Sequence, residues 1–541
     1  MGGSLLAALI LAVATPAVGQ GLRTRVVHYR FHVSVPDTGS TISGQADICL
    51  ARPVAGLNDT LTVDAVGLAV DSVRWSRAPL PFQHDSSHLR VALPVELASV
   101  PTTGDVGGSL ACIVVWYHAS PRDGLIVGTN GRGARVAFGD NWPERARYWL
   151  PVVDQPGAKA TVAFSVDAPA GFRVVGPGEV FGPRMWRENH PIPPYTMVIG
   201  VAKFAVSHRR PVINGRDTIP IDVWTYPEDS AYADSVPFKN ATEIVEALQH
   251  MIGPFPYEKL AHVESSTRFG GMENASAIFY AEKPYVERRM EEGVVRHESA
   301  HQWFGDAVTE RDWHHLWLSE GFASYFDLIA GAALHGDSVL AAGMRAYAES
   351  YWRSDVVDRP VIDTTEHDPL KLLNANNYQK GAWLLHMLRG LVGDSAFFQG
   401  IRDYYRRYRD STALSEDFQR VMELAAGRQV DWFFEQWLRQ SGYPRLDVVW
   451  RHDSAAHQVR LDVSQAQAAT WGPFRLPRVT IEVRDAGGAA VQRTVSVEGR
   501  RSVAIVDVPP ALTPVDVRID PAGKLLLQAT VTRTDGKAGN P

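Results

Sequence analysis

Two histidines four residues apart are the feature of this sequence that most directly predicts chemistry. In the segment R-H-E-S-A-H-Q-W, His297 and His301 would lie on adjacent turns of one helix face, where both imidazoles can bind the same cation. Glu298, next to the first histidine, is placed to act as a general base on a water molecule. Taken alone, this spacing is equally consistent with two surface histidines on a helix.

A carboxylate further along the chain supplies a candidate third ligand. Glu320 lies in the segment L-W-L-S-E-G-F-A-S-Y-F, with eighteen residues between it and His301. A second helix packed against the first would bring this side chain to the two imidazoles. Two histidines and one carboxylate, with a fourth position open to water, form a catalytic zinc site, and zinc lowers the pKa of a bound water to about 7. The sequence therefore predicts one Zn²⁺ per chain and metal-assisted hydrolysis.

Four other polar residues around Glu320 have more than one interpretation. His314 and His315 are adjacent and so point in different directions, which favours surface or packing roles over metal binding. Ser324 and Asp327 lie one and two turns beyond Glu320 on the same helix face, where either could orient a ligand. An ordinary contact between helices explains their positions equally well.

The elements that must position these residues follow from the hydrophobic pattern. From about residue 24 to 208 apolar and polar residues alternate, as around Tyr29, Phe31 and Val33, which predicts an antiparallel β domain. From about 236 to 440 the apolar spacing is helical, and after Gly442 the alternation resumes. The fold class is therefore multidomain α+β, in the order β, helical, β. The helices are predicted near residues 287–305, 313–334, 378–392 and 394–409. Asp394 and Ser395 are predicted to cap the last of them.

Composition and charge narrow the class of protein. The 541 residues are 45% hydrophobic and 21% charged, which is typical of a folded globular protein with several domains. The formal net charge of −6 lacks the basic character of nucleic-acid-binding proteins. No nucleic-acid partner is therefore predicted.

The N-terminal residues predict export. An apolar run from Leu5 to Val13 precedes a stretch of small residues, which resembles a secretory signal peptide cleaved near Gln20, although the usual lysine or arginine at its start is missing. The run is too short to span a bilayer. We expect residues 1–20 to be a signal peptide and the mature protein to be periplasmic or extracellular, not an integral membrane protein.

The chain contains two cysteines, Cys49 and Cys112. In an oxidising compartment they could form a disulfide, and two buried free thiols are an equally consistent interpretation. Two cysteines are too few for a cysteine-type zinc site, so a metal would need histidine and carboxylate ligands.

Four segments of the chain resemble one family of zinc peptidases. The segment HESAHQWFGDAVTERDWHHLWLSEGFASYF, residues 297–326, resembles the zinc helices of the aminopeptidase N type gluzincins, which include the leukotriene-hydrolase-like aminopeptidases. F-G-G-M-E-N at residues 269–274 is similar to the family's Gly-x-Met-Glu-Asn exopeptidase motif, with glycine in place of the usual alanine. Y-Q-K-G at residues 378–381 is similar to the motif that carries the family's catalytic tyrosine. The segment ARYWLPVVDQPGAKATVAFSVDAPAGFRVV resembles part of the family's N-terminal β domain, and the resemblance covers about residues 25–450.

The resemblance implies a domain organisation. A saddle-shaped antiparallel β domain would occupy residues 21–208, a thermolysin-like, mainly helical catalytic domain residues 209–442, and a β-sandwich residues 443–534. Residues 535–541 would form a disordered tail. The chain would be a short form without the large helical C-terminal domain of many relatives. Its cleft would then be more open, or covered by a partner subunit as in a homo-oligomer.

The resemblance also implies an activity and roles for individual residues. The chain would be a zinc aminopeptidase in which Tyr378 stabilises the oxyanion of the scissile carbonyl and Glu273 holds the free α-ammonium group of a peptide substrate. Gly270 and Gly271 lack a Cβ, so a peptide could approach this edge closely and pair with it as an added strand. The remaining substrate-binding residues of this motif are Met272 and Asn274.

Two stretches depart from the family's pattern. A glutamine that helps the family recognise the substrate's N terminus is replaced by G-D-N-W at residues 139–142, where Asp140 or Asn141 is expected to substitute. Asn141 is therefore a predicted substrate contact. Val152 stands where many members have cysteine.

The sequence is also consistent with two other functions. A zinc endopeptidase of the same fold would share the metal ligands and the general base but would not require a free amino terminus. A catalytically inactive relative that serves as a binding scaffold is the alternative outside enzymes, since a fold alone does not guarantee a function. The intact set of His297, Glu298, His301, Glu320 and Tyr378 argues against the scaffold.

Overall fold

A computed structural model of the chain describes residues 25–51, 60–94 and 111–534. The predicted signal peptide at residues 1–20 and the predicted tail at residues 535–541 lie outside the described residues. Within the described part, no helix combines the length and the apolar character needed to cross a membrane.

Short strands form the region before residue 209, as the alternating pattern predicts. In chain order they are β1 (Val26–Ser34), β2 (Ile42–Leu50), β3 (Thr60–Asp64), β4 (Leu68–Trp75), β5 (Ala78–Pro79), β6 (Phe82–His84), β7 (His88–Ala92), β8 (Ala111–Ala119), β9 (Gly124–Thr129), β10 (Arg135–Asp140), β11 (Ala160–Asp167), β12 (Arg173–Val175), β13 (Glu179–Gly182), β14 (Met185–Ile192), β15 (Gly200–Ala202) and β16 (Ala205–His208).

The largest sheet of this region has eight strands in the order β13-β14-β11-β1-β2-β8-β4-β5. Tyr29, Phe31 and Val33 are buried along β1 while Arg30 and His32 are exposed, so the period of two does mark a sheet with one covered face. The pairing is antiparallel except between β1 and β11, which run parallel. Two smaller sheets have the orders β12-β15-β10-β9 and β3-β7-β6.

The two cysteines lie opposite each other in this sheet. Cys49 on β2 is in register with Cys112 on β8. Their sulfurs form a disulfide across the two strands. The tertiary structure thus favours the disulfide over the two free thiols that the sequence left equally open.

The middle region combines helices with a sheet. Its elements are β17 (Val212–Asn214), β18 (Asp217–Ile219), β19 (Ile221–Thr225), α1 (Ser230–Ser235), α2 (Ala241–Ile252), β20 (Leu260–Ser265), β21 (Gly271–Met272), β22 (Ala277–Ala281), α3 (Glu282–Val286), α4 (Glu292–His301), β23 (Val308–Glu310), α5 (Trp317–His335), α6 (Ser338–Trp352), α7 (Pro369–Leu372), α8 (Gly381–Val392), α9 (Asp394–Tyr408), β24 (Ser411–Ala413), α10 (Ser415–Ala426) and α11 (Asp431–Phe434).

A five-stranded sheet has the order β16-β19-β20-β22-β21, and three of its strands, β20, β21 and β22, lie inside the region predicted to be helical. Every residue of β20 is buried, and the strand pairs in parallel with β19 and β22. A strand covered on both faces shows no alternation, which is why the pattern did not reveal it. β16 ends at residue 208 and belongs to this sheet, so a domain boundary after residue 208 would separate β16 from the other four strands. The domain boundary at 208/209 stays a prediction.

The predicted helices are present with shifted ends. The stretch predicted at 287–305 contains α4, and the one predicted at 378–392 begins with a π-helical turn over residues 376–380 before α8. The predicted cap at Asp394 and Ser395 is wrong. Gly393 is the N-cap of α9, and the Asp394 carboxylate accepts hydrogen bonds from Arg389 instead.

Strands resume after residue 444. They are β25 (Arg445–Asp453), β26 (Gln458–Gln465), β27 (Leu476–Asp485), β28 (Ala490–Val497), β29 (Arg501–Asp507), β30 (Pro514–Ile519) and β31 (Gln528–Arg533). Four of them form a sheet in the order β29-β26-β25-β31, and three form a sheet in the order β28-β27-β30. Leu446, Val448 and Trp450 are buried, as their alternation predicts. The β-sandwich arrangement of these sheets stays a prediction.

Candidate active site

The predicted metal ligands converge on one point between α4 and α5. The Nε2 atoms of His297 and His301 are 3.1 Å apart, and they lie 3.4 and 3.3 Å from Oε2 of Glu320. Three ligands of a tetrahedral zinc ion, each about 2.0–2.2 Å from the metal, would be separated by roughly 3.3–3.5 Å. Glu320 Oε2 is buried and has no hydrogen-bond donor. The donor set and its spacing therefore fit Zn²⁺.

The charge state of the carboxylate agrees with a ligand role. Burial opposes ionisation of Glu320, but the imidazoles of His301 and His297 outweigh it and hold the pKa of the carboxyl at about 2. A carboxylate that stays ionised at neutral pH can ligate a cation without first losing a proton.

His301 is oriented by two groups behind it. Its Nδ1 lies 3.0 Å from the Phe304 carbonyl oxygen and 3.0 Å from Oγ of Ser319. Donation from Nδ1–H to the carbonyl leaves the lone pair on Nε2, the nitrogen that faces Glu320. Ser319 is an orienting residue that the sequence did not single out, although it directly precedes the third ligand.

The residues that the sequence offered for this orienting role have other partners. Asp327 accepts a hydrogen bond of 2.7 Å from Nε of Arg296. Ser324 interacts with the hydroxyl of Tyr347 on α6. Both are contacts between neighbouring elements, which is the ordinary interpretation of their positions.

His314 and His315 also lie away from the ligand cluster. Nε2 of His314 is 3.0 Å from the Glu366 carbonyl oxygen, and Nδ1 of His315 is 2.8 Å from Oγ of Ser415. These are packing contacts, as predicted from the adjacent positions of the two histidines.

One cavity brings most of the predicted site residues together. Its lining residues are Trp142, Phe269, Gly271, Met272, Glu273, His297, Glu298, His301, Glu320, Leu373 and Tyr378. Trp142, Phe269 and Leu373 are the lining residues that the sequence did not assign. They come from three separate loops, so no local spacing could have joined them.

The general-base candidate, Glu298, is buried against the glycine motif. A Cβ built on Gly271 would overlap the Glu298 carboxylate, whereas one on Gly270 would meet no atom within 4 Å. Burial, reinforced by the charges of Glu273 and Glu320 and opposed by that of His301, raises the pKa of the Glu298 carboxyl well above its usual range. Gly271 thus makes room for the base, and Gly270 does not line the cavity.

This difference between two adjacent glycines predicts different effects of the same substitution. Gly271→Ala should displace the Glu298 carboxylate and lower kcat by about 10²-fold, because a shift of about 1 Å in a reacting group can cost that much. Gly270→Ala is the matched control and should leave kcat within about twofold. Steady-state kinetics of both variants on one peptide, with zinc content measured in parallel, would check this. Equal kcat values for the two variants would contradict it.

Glu273 follows β21, which is an edge strand of the five-stranded sheet. Gln302, the residue after the second histidine, donates from Nε2 to the Glu273 carbonyl oxygen at 2.9 Å and accepts from the Ser276 amide at 2.7 Å. These bonds join the glycine motif to the end of α4. Burial raises the pKa of the Glu273 carboxyl to about 7. An ammonium group beside it would favour the charged form.

Tyr378 lies on the π-helical turn that precedes α8. Its ring is parallel to that of His297 at 6.1 Å between centroids, and burial next to the Glu320 carboxylate raises the pKa of its hydroxyl well above the usual range. A Cβ on Gly321 would lie 2.9 Å from Cα of Gly381. Two glycines thus let α5 and α8 approach closely enough to bring Tyr378 beside Glu320.

The predicted substrate contact at Asn141 is not supported by its position. Asn141 is fully buried and lies outside the cavity lining. Its Nδ2 donates to the Met197 carbonyl oxygen at 2.9 Å, and its Oδ1 accepts from Nε1 of Trp149 at 2.8 Å. The amide is occupied within the fold, and the next residue, Trp142, is the one that lines the cavity.

Asp140 and Asn274 also lie outside the cavity lining. Asp140 is fully buried and accepts hydrogen bonds from Oγ1 of Thr267 at 2.8 Å and from Arg145 at 3.1 Å. Asn274 is fully buried, and neither atom of its side-chain amide has a hydrogen-bond partner among the described residues. Neither residue lines this cavity, and a substrate contact by Asn274 stays a prediction.

Comparison with known proteins agrees with this geometry. Residues 237–437 match the family model described as Peptidase family M1 domain. The chain is 27% identical over 350 residues to glutamyl aminopeptidase of Bitis rhinoceros, covering 59% of this chain and 36% of the relative. It is 26% identical over 428 residues to probable aminopeptidase 2 of Sulfurisphaera tokodaii, covering 72% of this chain and 51% of the relative. The chain thus spans about a third to a half of the length of these curated relatives.

Solved structures share the fold. An M1 zinc metallopeptidase from Deinococcus radiodurans superposes with a TM-score of 0.65 at 25% identity, covering 78% of this chain and 95% of that chain. Aminopeptidase A of Legionella pneumophila, in complex with aspartic acid, gives a TM-score of 0.76 at 15% identity over 95% of this chain and 60% of that chain. The second likeness concerns the fold alone.

Proposed function

We propose that this chain, whose residues 237–437 match the Peptidase family M1 domain, is a zinc-dependent aminopeptidase of that family. The observation that carries the proposal is the position of Glu273. Glu273 lines the same cavity as the three candidate ligands and Glu298. An anion at that place would hold the charged amino end of a peptide, so cleavage would be directed to the first peptide bond.

The candidate ligands His297, His301 and Glu320 would hold one Zn²⁺ per chain. When bound there, zinc supplies a Lewis acid that polarises a peptide carbonyl and makes a water molecule more acidic. Ser319 and the Phe304 carbonyl group would keep the His301 ring in the orientation and tautomer that ligation requires.

The remaining cavity residues would carry out the proton transfers and the positioning. Glu298 would accept a proton from the attacking water and deliver it to the leaving amine. The Tyr378 hydroxyl would donate a hydrogen bond to the carbonyl oxygen as negative charge develops on it. Glu273 would accept hydrogen bonds from the α-ammonium group of the substrate. The edge of β21 would offer backbone groups to an extended peptide.

A pair of substrates separates this proposal from an endopeptidase. A tripeptide with an apolar first residue should be cleaved after that residue, while its N-acetylated form should react at least about 10²-fold more slowly because it has no ammonium group. Glu273→Gln should lower kcat/KM for the free tripeptide by about 10- to 10²-fold, the value of a charge-assisted hydrogen bond. Chromatographic product analysis measures both effects.

The matched control is Glu291→Gln, which makes the same change at an exposed position just before α4 and should leave cleavage unchanged. Equal cleavage of the free and acetylated peptides would identify an endopeptidase. If purified protein neither retains zinc after dialysis nor cleaves either peptide, the scaffold alternative is correct.

We also propose that the protein is exported. The apolar N-terminal run and the disulfide between Cys49 and Cys112 both support an oxidising compartment. Sequencing the N terminus of the mature protein from cell fractions tests this proposal. A mature N terminus near Gln20 in the exported fraction is expected, and an intact Met1 in the cytoplasm would contradict it.

A further inference from the structure

A second group of potential metal ligands lies on β14 and just before β20. Glu188, His190 and Glu258 each present a ligand atom, and these atoms lie within 4.8 Å of one another. Glu188 is fully buried, and the other two are half-buried. None of the three lines the cavity described above.

One oxygen of each carboxylate in this group lacks a hydrogen-bond donor. Glu188 Oε1 accepts a hydrogen bond of 3.0 Å from the His190 amide, and Glu258 Oε1 accepts one of 2.8 Å from Nδ2 of Asn189. The Oε2 atom of each carboxylate is buried and has no hydrogen-bond partner. Two carboxylates this close together, each with a buried oxygen that has no donor, need a shared proton or a cation between them, because buried anionic oxygen is otherwise strongly disfavoured.

The neighbouring cations are engaged elsewhere. Nζ of Lys259 donates to the Ser276 carbonyl oxygen at 2.8 Å, and Arg187 forms an ion pair of 2.5 Å with Glu179. Arg409 donates to the Pro256 carbonyl oxygen at 3.1 Å. Among the described residues, no salt bridge includes Glu188 or Glu258.

The histidine of the group has the environment of a metal ligand. Nδ1 of His190 lies 3.2 Å from Oδ1 of Asp410, a residue beyond the end of α9. Donation from Nδ1–H to that carboxylate would fix the tautomer whose Nε2 lone pair is free to ligate. A carboxylate behind the imidazole is the usual partner of a metal-bound histidine.

We propose that Glu188, His190 and Glu258 bind a second divalent cation, separate from the peptidase site, of the kind that accepts mixed nitrogen and oxygen ligands, such as Zn²⁺. The imidazole argues against Ca²⁺, which prefers oxygen ligands alone. The ion would tie β14 to the chain that enters β20, and through Asp410 to the segment after α9. Its role is structural, because no cavity residue takes part in the group.

The test counts Zn²⁺ bound to full-length protein whose peptidase site has been removed by His297→Ala and Glu320→Ala together. After chelation, equilibration with Zn²⁺ and removal of free metal, this double variant should hold about one ion per chain and the wild type about two. Adding Glu188→Gln and Glu258→Gln should abolish that remaining ion, while adding the exposed control Glu291→Gln should not. Elemental mass spectrometry measures the number of Zn²⁺ ions per chain in each variant.

A milder variant is needed in case substitution of both Glu188 and Glu258 prevents folding. His190→Gln changes a half-buried residue, and it should remove the rise in Tm that Zn²⁺ causes in the double variant. If the double variant holds no zinc, the two carboxyls share a proton and the proposal is overturned. Zinc that persists after all the substitutions overturns it as well. Because the double variant lacks the peptidase site, these outcomes are independent of whether the protein is an aminopeptidase.

Discussion

Replacing Glu298 with glutamine is expected to lower kcat by about 10²- to 10⁴-fold, the range that general acid–base catalysis contributes. Glutamine has nearly the same shape but cannot accept a proton from water. Glu298 lies next to the first candidate ligand and is not itself part of the ligand group. The variant should therefore keep its metal, and its KM should change little. Steady-state kinetics and zinc analysis on the same sample would measure both.

The matched control for this loss is again Glu291→Gln, on the exposed chain before the same helix. It should retain wild-type kcat and zinc content. If Glu298→Gln lost zinc together with activity, the residue would be acting on the metal site and not as a base. A kcat within about threefold of wild type would exclude the base role, since such a change is worth less than 1 kcal/mol.

Tyr378→Phe is expected to lower kcat by about 10²- to 10³-fold, the usual effect of removing one donor to a developing oxyanion. Phenylalanine keeps the ring that lies parallel to His297 at 6.1 Å, so the packing beside the ligands is preserved and the hydroxyl alone is lost. Because the hydrogen bond strengthens as charge develops, kcat should fall more than KM rises. Kinetics on the free tripeptide separates the two parameters.

Tyr148→Phe serves as the matched control, because Tyr148 carries a hydroxyl outside the cavity lining. It should leave kcat unchanged. A large rise in KM with unchanged kcat in Tyr378→Phe would indicate that the hydroxyl binds the ground state of the substrate. That result would contradict the oxyanion role while leaving the metal and base assignments intact.

The core of the candidate site could be predicted because it is encoded locally. The period of an α-helix places His297 and His301 on one face whatever surrounds them, and the chemistry of two imidazoles and a carboxylate suggests zinc. The motif containing Glu273 and the turn containing Tyr378 were recognised from resemblance alone. Their placement in the same cavity depends on the edge of β21 and on the contact between Gly321 and Gly381.

Asn141 shows where the sequence could not decide. Asn141 directly follows the end of β10 and Trp142 begins a turn, so no strand or helix period tells which of the two side chains faces the cavity. Here the amide of Asn141 is bound within the fold and Trp142 lines the cavity. The resemblance pointed to a segment that contributes Trp142 to the cavity, and a substrate contact by Asn141 stays a prediction that its position does not support.

The sequence by itself determined that the chain is a folded globular protein, because that depends on composition. It also determined the β, helical, β order of the elements and the spacing of the metal ligands, because these depend on the period of single elements. The tertiary structure alone decided that Ser319 and Gln302 support the site and that Gly271 makes room for Glu298. It also revealed the buried strand β20. These features depend on contacts between segments that are distant in the chain, and the local hydrophobic pattern does not predict such contacts.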